Sequence, residues 1–260
     1  MNEIIIAIIL GIIEGLTEFL PVSSTGHLIL AGHFLDFTGE KEKTFSIFIQ
    51  LGAIMAVVVY YWKRVLSILK FNFKEGLNVL HILFAMLPAV VVGLLLHELI
   101  KEYLFSPQTV IVALAAGGVL LIYAEKKNQR VLTESLDELT YKQAFRIGLF
   151  QCLALFPGFS RAGATIAGGI LSGANHKTAA EFSFLVAVPM MFAASGLDLA
   201  KSYEVISVSD IDMFMAGFFS AFIVALIAIM SFLKLLSKVK LTPFAYYRFA
   251  LAAVVALFLL

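Results

Sequence analysis

Runs of apolar residues near 20 in length recur along the chain, separated by short clusters of charge. Six of them read as membrane-crossing helices, about 45–62, 79–97, 107–124, 178–199, 212–233 and 243–260. A stretch of about 20 apolar residues crosses the ~30 Å hydrocarbon layer as a helix. Two further segments, 2–35 and 142–173, behave differently. Each consists of two apolar halves around a polar centre that contains proline, FLPVSSTGH in one and LFPGFSRAGAT in the other. Proline removes a backbone donor and breaks a helix. Backbone freed at membrane depth persists only where protein or a wet cavity satisfies it. These two segments therefore read as re-entrant helical hairpins. A surface amphipathic helix is the alternative for the first, but residues 4–13 are apolar on every face.

Composition agrees with an all-α polytopic membrane protein. The 260 residues are 61% hydrophobic and 14% charged, where a soluble domain has roughly 45–50% and 25%. Mean hydropathy is +0.96. A net charge of +1 gives no sign of nucleic acid as a partner. The single cysteine, Cys152, excludes an internal disulfide and reads as a small apolar residue. The first segment has no basic leader and carries Glu3, Glu14 and Glu18, so it is not expected to be a removable signal peptide.

Charge sets the expected sides. Three connections hold 13 of the 19 Lys and Arg: Lys63, Arg64, Lys70 and Lys74; Lys126, Lys127, Arg130, Lys142 and Arg146; Lys234, Lys238, Lys240 and Arg248. Excess Lys/Arg marks the cytoplasmic side. Loops 98–106 and 200–211, with Lys101 and Lys201, are then external. Trp62 with Tyr60 and Tyr61, and Tyr246 with Tyr247, read as interfacial anchors.

The hairpins also match each other. An offset of 136 aligns Pro21 with Pro157 and Ser24 with Ser160; an offset of 137 aligns Phe45-Ser46 with Phe182-Ser183. The single domain, 1–260, then divides into a first repeat (1–124) and a second (142–260), each a hairpin plus three spans. Three is odd, so the halves face opposite ways, as an inverted-topology repeat whose broken helices meet near the midplane.

The tips carry unlike chemistry. Glu14 and Glu18 are four apart and share a helix face. Ser23 and Ser24 stand where an N-cap belongs, and His27 follows one turn later. On the second tip Ser160 is the expected N-cap, Arg161 is a bidentate phosphate partner, and Thr165 lies one turn on. Two helix N-termini at one place favour an anion. Two carboxylates beside that anion call for a divalent cation, Mg²⁺ or Ca²⁺, held by Glu14 and Glu18, or for one carboxyl to be protonated or to orient His27. Gln50 and Gln151 are candidate supporting groups, whereas His33, His81, His97 and His176 read as structural. The pairs Gly11 with Gly15 and Gly169 with Gly173 read as close helix packing.

EGLTEFLPVSSTGH at 14–27 and PGFSRAGAT at 157–165 resemble the two hallmark motifs of the bacterial undecaprenyl-diphosphate phosphatases, the bacitracin-resistance proteins. The resemblance runs through FIQLGAI, FQCLALFPG, FSFLVAVPM and PFAYYRF, over essentially the whole chain. It implies removal of the terminal phosphate from a C55 isoprenoid diphosphate, with the monophosphate serving as lipid carrier for peptidoglycan, and a place in the bacterial inner membrane. It implies that Glu14 and Glu18 form the acidic motif, that Ser24 and His27 act in catalysis, and that Ser160, Arg161 and Thr165, with Ser23 beside them, bind the diphosphate. Ala162 stands where the family commonly has serine. Either Ser24 or His27 is the nucleophile, or water attacks directly. The expected partners are the polyprenyl diphosphate and membrane lipids, with a second copy of the chain as a candidate. Polar residues on the first hairpin predict a site open to the extracytoplasmic face. A transporter with the same anion site is the rival from another class, and an intramembrane serine hydrolase using Ser24 and His27 a further one.

Overall fold

The computed structural model describes residues 2–70, 76–96, 98–100, 104, 106–127, 131–202, 207–236 and 239–259. Lys74, His97, Lys101, Arg130 and Lys238 lie outside them. The described residues form helices and no strand, apart from one isolated bridge between Thr133 and Ala174. The helices are α1 (Glu3–Thr17), α2 (Ser24–Phe34), α3 (Glu40–Tyr60), α4 (Trp62–Leu69), α5 (Val79–Leu95), α6 (Pro107–Lys126), α7 (Tyr141–Gln151), α8 (Arg161–Leu171), α9 (His176–Ser202), α10 (Ile211–Leu236) and α11 (Thr242–Leu259).

Five of these, α3, α6, α9, α10 and α11, are long and apolar enough to cross a membrane, and the chain is a multi-pass membrane protein. The segment expected to span over 79–97 forms α5, which has 17 residues and contains Pro88. At 1.5 Å per residue it reaches ~25 Å. The two interrupted segments form pairs of short helices, α1 with α2 and α7 with α8, of 15, 11, 11 and 11 residues. Each is too short to cross ~30 Å alone.

Large apolar side chains cover the outside: Leu94, Leu95 and Leu257 are at least three-quarters exposed. Alanine and glycine line the inside, because there is no hydrophobic drive between helices in lipid and small residues let backbones approach. Gly11 and Gly15 carry α1 onto α10; a Cβ on Gly15 would sit 2.6 Å from the Ala221 carbonyl oxygen. The first helix of the second hairpin, α7, packs on α5. The long helices α3 and α9 lie together, as do α6 and α11.

Polar ties hold the two ends. At one end Arg64 donates to both Asp137 oxygens, at 2.7 and 3.0 Å, and this guanidinium holds the Asp137 carboxyl below its usual range. Glu125, ending α6, accepts from His176 and from the Leu241 amide, both at 3.0 Å. At the other end Lys41 pairs with Glu3 at 3.2 Å and Asp210 at 2.7 Å. The expected basic connections thus share one end, and the starts of α1, α3 and α10 share the other.

One member of the third basic connection does not belong there. Arg248 is fully buried inside α11. Its guanidinium donates to the carbonyls of Ala113, Leu114, Pro21 and Gly158 at 3.0–3.3 Å, and Gly117 leaves it room. Counting Lys and Arg cannot separate a cation at the interface from one that satisfies backbone freed by two broken helices.

Candidate active site

The two breaks have the same local design. α1 ends at Thr17, ahead of Pro21, which has no amide to continue the ladder. Ser23 then takes φ 73°, and its side chain accepts from the Gly26 amide at 3.3 Å as the cap of α2. On the other hairpin a short 3-10 turn, Cys152–Leu155, precedes Pro157. Ser160 takes φ 73° and accepts from the Gly163 amide at 3.0 Å as the cap of α8. Positive φ at a non-glycine residue is strained backbone, found where the surroundings over-determine it. The two capping serines with positive φ, Ser23 and Ser160, are 137 positions apart, the same offset as between Phe45-Ser46 and Phe182-Ser183. The offset of 136 followed the prolines, one residue out of step with the caps.

A cavity of about 220 Å³ lies between the tips. Glu18, Ser23, Ser24 and Thr25 line one side, Ser160 and Arg161 the other, with Gln50, Phe156, Met190 and Met191 completing the wall. The N-termini of α2 and α8 both open into it, and the first amides of a helix have no intrahelical acceptor. The Ser24 hydroxyl donates to Glu18 Oε2 at 2.7 Å. Glu18 Oε1 accepts from Arg161 Nη2 at 2.9 Å, in a pair whose side chains are 9% and 15% exposed. Ser24, Glu18 and Arg161 thus form one chain across the gap between hairpins 143 residues apart.

Groups behind the wall hold this chain. Arg161 Nη1 donates to the Ser183 carbonyl at 3.0 Å and its hydroxyl at 3.1 Å. Thr165 shares a 2.6 Å bond with the Ser183 hydroxyl and donates to the Arg161 carbonyl, so it supports the arginine and does not line the cavity. The guanidinium also stands 5.9 Å from the Phe19 ring centre. Ser183 was not singled out from the sequence, although the matched Phe-Ser pairs were a signal for it.

His27, one turn into α2, points back toward the break and is not among the residues lining the cavity. Its Nδ1 meets the Ser23 carbonyl at 2.7 Å, which requires that nitrogen to be the donor. With the neutral ring, Nε2 then accepts from the Tyr247 hydroxyl at 2.7 Å, and the two rings stack. The ring contacts neither Glu14 nor Glu18 among its hydrogen bonds, and Ser24 bonds Glu18 instead. Tyr247, read as an interfacial anchor, is the partner of this histidine.

Glu14 sits one turn behind Glu18, whose amide donates to the Glu14 carbonyl at 2.9 Å. Its carboxylate is fully buried, and neither oxygen has a hydrogen-bond partner among the described residues. Two adjacent carboxylates, one of them unspent, are hard oxygen donors that fit Mg²⁺ or Ca²⁺. The described residues contain no cluster of three or more Asp, Glu, His or Cys that could hold a metal ion, and Glu14 is not among the residues lining the cavity. Gln50 lines the cavity, while Gln151 donates to the Ala85 carbonyl on α5 at 3.1 Å, away from it. His81 bonds the Leu139 carbonyl and His176 bonds Glu125, both structural contacts.

The sequence matches the family model described as bacitracin resistance protein BacA over residues 7–254. It is 57% identical to undecaprenyl-diphosphatase 1 of Bacillus thuringiensis (strain Al Hakam), and 56% identical to the proteins of that name from Bacillus anthracis and Bacillus cereus. Each alignment covers 100% of both chains. With full-length relatives at this identity and a family model that covers both hairpin tips, the chain belongs to the BacA bacitracin resistance family.

Proposed function

We propose that the chain is an undecaprenyl-diphosphate phosphatase of the bacterial inner membrane. It hydrolyses the C55 diphosphate to the monophosphate and inorganic phosphate, returns the lipid carrier to peptidoglycan synthesis, and so confers bacitracin resistance. The observation that carries the chemistry is the Ser24–Glu18–Arg161 chain on the wall of a cavity into which two helix N-termini open.

Phosphoryl transfer needs an in-line nucleophile and neutralised charge on the transferred group. Glu18 accepts the Ser24 proton as Ser24 Oγ attacks the terminal phosphorus. The bond to the bridging oxygen breaks, and the lipid monophosphate leaves. Water then attacks the phosphoserine, Glu18 returns its proton to the Ser24 oxygen as that bond breaks, and phosphate departs carrying both hydrogens of the water. Arg161, the N-termini of α2 and α8, and the Ser23 and Ser160 hydroxyls receive the phosphate oxygens; Thr165 and Ser183 hold Arg161. His27 braces the strained Ser23 backbone. Purified protein should release phosphate from the polyprenyl diphosphate. Transport of the intact lipid without release would favour the transporter reading.

The alternative role for Glu14 and Glu18 is to hold a divalent cation, which would neutralise phosphate charge; Glu18 would then be a ligand and not the base for Ser24. Mg²⁺ should then raise the melting temperature of the detergent-solubilised protein, and Glu14→Gln should remove that rise. Equal melting with Mg²⁺ and with chelator would exclude the cation.

The finer architecture is an inverted-topology repeat, 1–124 and 142–260, of one re-entrant hairpin and three spans each, with α5 as the sixth span. Reciprocal packing supports it: α1 on α10 mirrors α7 on α5, while α3–α9 and α6–α11 pair equivalent helices. The matching caps at Ser23 and Ser160 support it too. The cavity is proposed to open to the extracytoplasmic side. Its wall takes Met190, Met191 and Ala194 from the outer half of α9, whereas residues 182–187 on the inner half are buried. Thr25→Cys, in a Cys152→Ser background, should react with an impermeant thiol reagent added to intact cells; reaction only in inverted vesicles would reverse the orientation. A second copy of the chain is a candidate partner, and native mass spectrometry of the detergent-solubilised protein would distinguish dimer from monomer.

A further inference from the structure

The cavity between the tips is small and largely occupied by the demands of the diphosphate, so the prenyl tail must leave it. A second cavity adjoins it. This slot of about 420 Å³ runs between α6 and the second hairpin; Val112, Ala113, Ala116, Leu153, Phe156 and Phe159 form its apolar wall, with Gln108 and Thr109 beside them. Phe156 lines both spaces and is the one residue they share. The slot is also open to lipid, since Val112 is 68% and Phe156 43% exposed. A different apolar cavity of about 260 Å³, walled by Leu83, Met86 and Pro189, shares no residue with the site.

We infer that the slot seats the first isoprene units of the substrate, with Phe156 as the divide between diphosphate and hydrocarbon. This rests on the phosphatase reading. The chemistry is that of a methyl-branched, linear, apolar chain. Lipid already surrounds most of the tail, so the slot contributes chiefly by holding the first units in line with the reacting phosphate. A chain too short to pass Phe156 gains nothing from it. The slot is therefore a chain-length determinant as well as a seat.

The test compares kcat/KM for the C55 diphosphate with that for a five-carbon allylic diphosphate in the same detergent. Ala116→Trp fills the slot from α6, and Val112→Trp, at an exposed position, does so with less demand on packing. Each should lower the long-to-short ratio about tenfold or more, since a small misplacement of the reacting group can cost on the order of 10²-fold. Leu83→Trp, in the unconnected cavity, should leave the ratio at the parent value. An unmoved ratio in folded Ala116→Trp and Val112→Trp overturns the inference, as does an equal fall in Leu83→Trp. Failure of the parent protein to release phosphate from either substrate is a different result, and overturns the phosphatase reading itself.

Discussion

Arg161→Ala is expected to lower kcat/KM for the polyprenyl diphosphate about a thousandfold or more, the scale of an arginine that neutralises phosphoryl charge. Two losses combine. The phosphate loses a bidentate donor at the N-terminus of α8, and Glu18 loses the cation bonded to its Oε1 at 2.9 Å. Because that pair is nearly buried, leaving the carboxylate alone also costs stability, about 3–5 kcal/mol where one partner of a buried pair is removed. Arg161→Lys separates the effects. An ammonium keeps the charge beside Glu18 but cannot hold the two bonds to Ser183 and a phosphate fork together. It should melt close to the parent protein and still lose most of its activity. Steady-state phosphate release and thermal unfolding of both variants check this. A folded Arg161→Ala protein with parental kcat and KM would remove the second hairpin from the site.

Ser24→Ala is expected to abolish turnover and, with it, any covalent phosphoenzyme. The hydroxyl lies 2.7 Å from the Glu18 carboxylate, as a nucleophile and its base should. Glu18→Gln keeps the size and removes the base, so it should cost about 10²- to 10⁴-fold in kcat, the usual contribution of general acid–base catalysis. Rapid acid quench with labelled diphosphate, followed by peptide mapping, reads the outcome. Label on Ser24 supports the route through phosphoserine. Label on His27 would mean that the ring leaves Ser23 and Tyr247 to attack. Persistent turnover by Ser24→Ala, with no label anywhere, would assign the attack to water.

Much of this site was legible in the residues, and the illegible part has specific causes. Glu18, Ser24, Ser160 and Arg161 could be found because ionisable and hydroxyl groups at membrane depth are costly and stand out against an apolar run. Their joining into one chain could not, since it depends on two hairpins approaching across 143 positions. Ser183 and Tyr247 were hidden for a related reason. A serine or tyrosine on a long helix has no local mark to show that it faces an arginine or a histidine from another segment. Arg248 misled because its charge is the same whether it faces water or four carbonyls.

By itself the sequence determined that the protein is helical, lies in a membrane, and breaks two of its apolar segments at polar, proline-containing centres. Those properties depend on hydropathy, on the length needed to cross hydrocarbon, and on the missing proline amide, all of which are local. The tertiary structure decided the register of the two tips, through the positive φ of Ser23 and Ser160, and gave Glu18 rather than His27 to Ser24. It also left Glu14 buried without a hydrogen-bond partner among the described residues. These outcomes follow from which donors and acceptors meet once small residues bring the helices together. A hydrogen bond is sensitive to tenths of an ångström, whereas hydropathy is not.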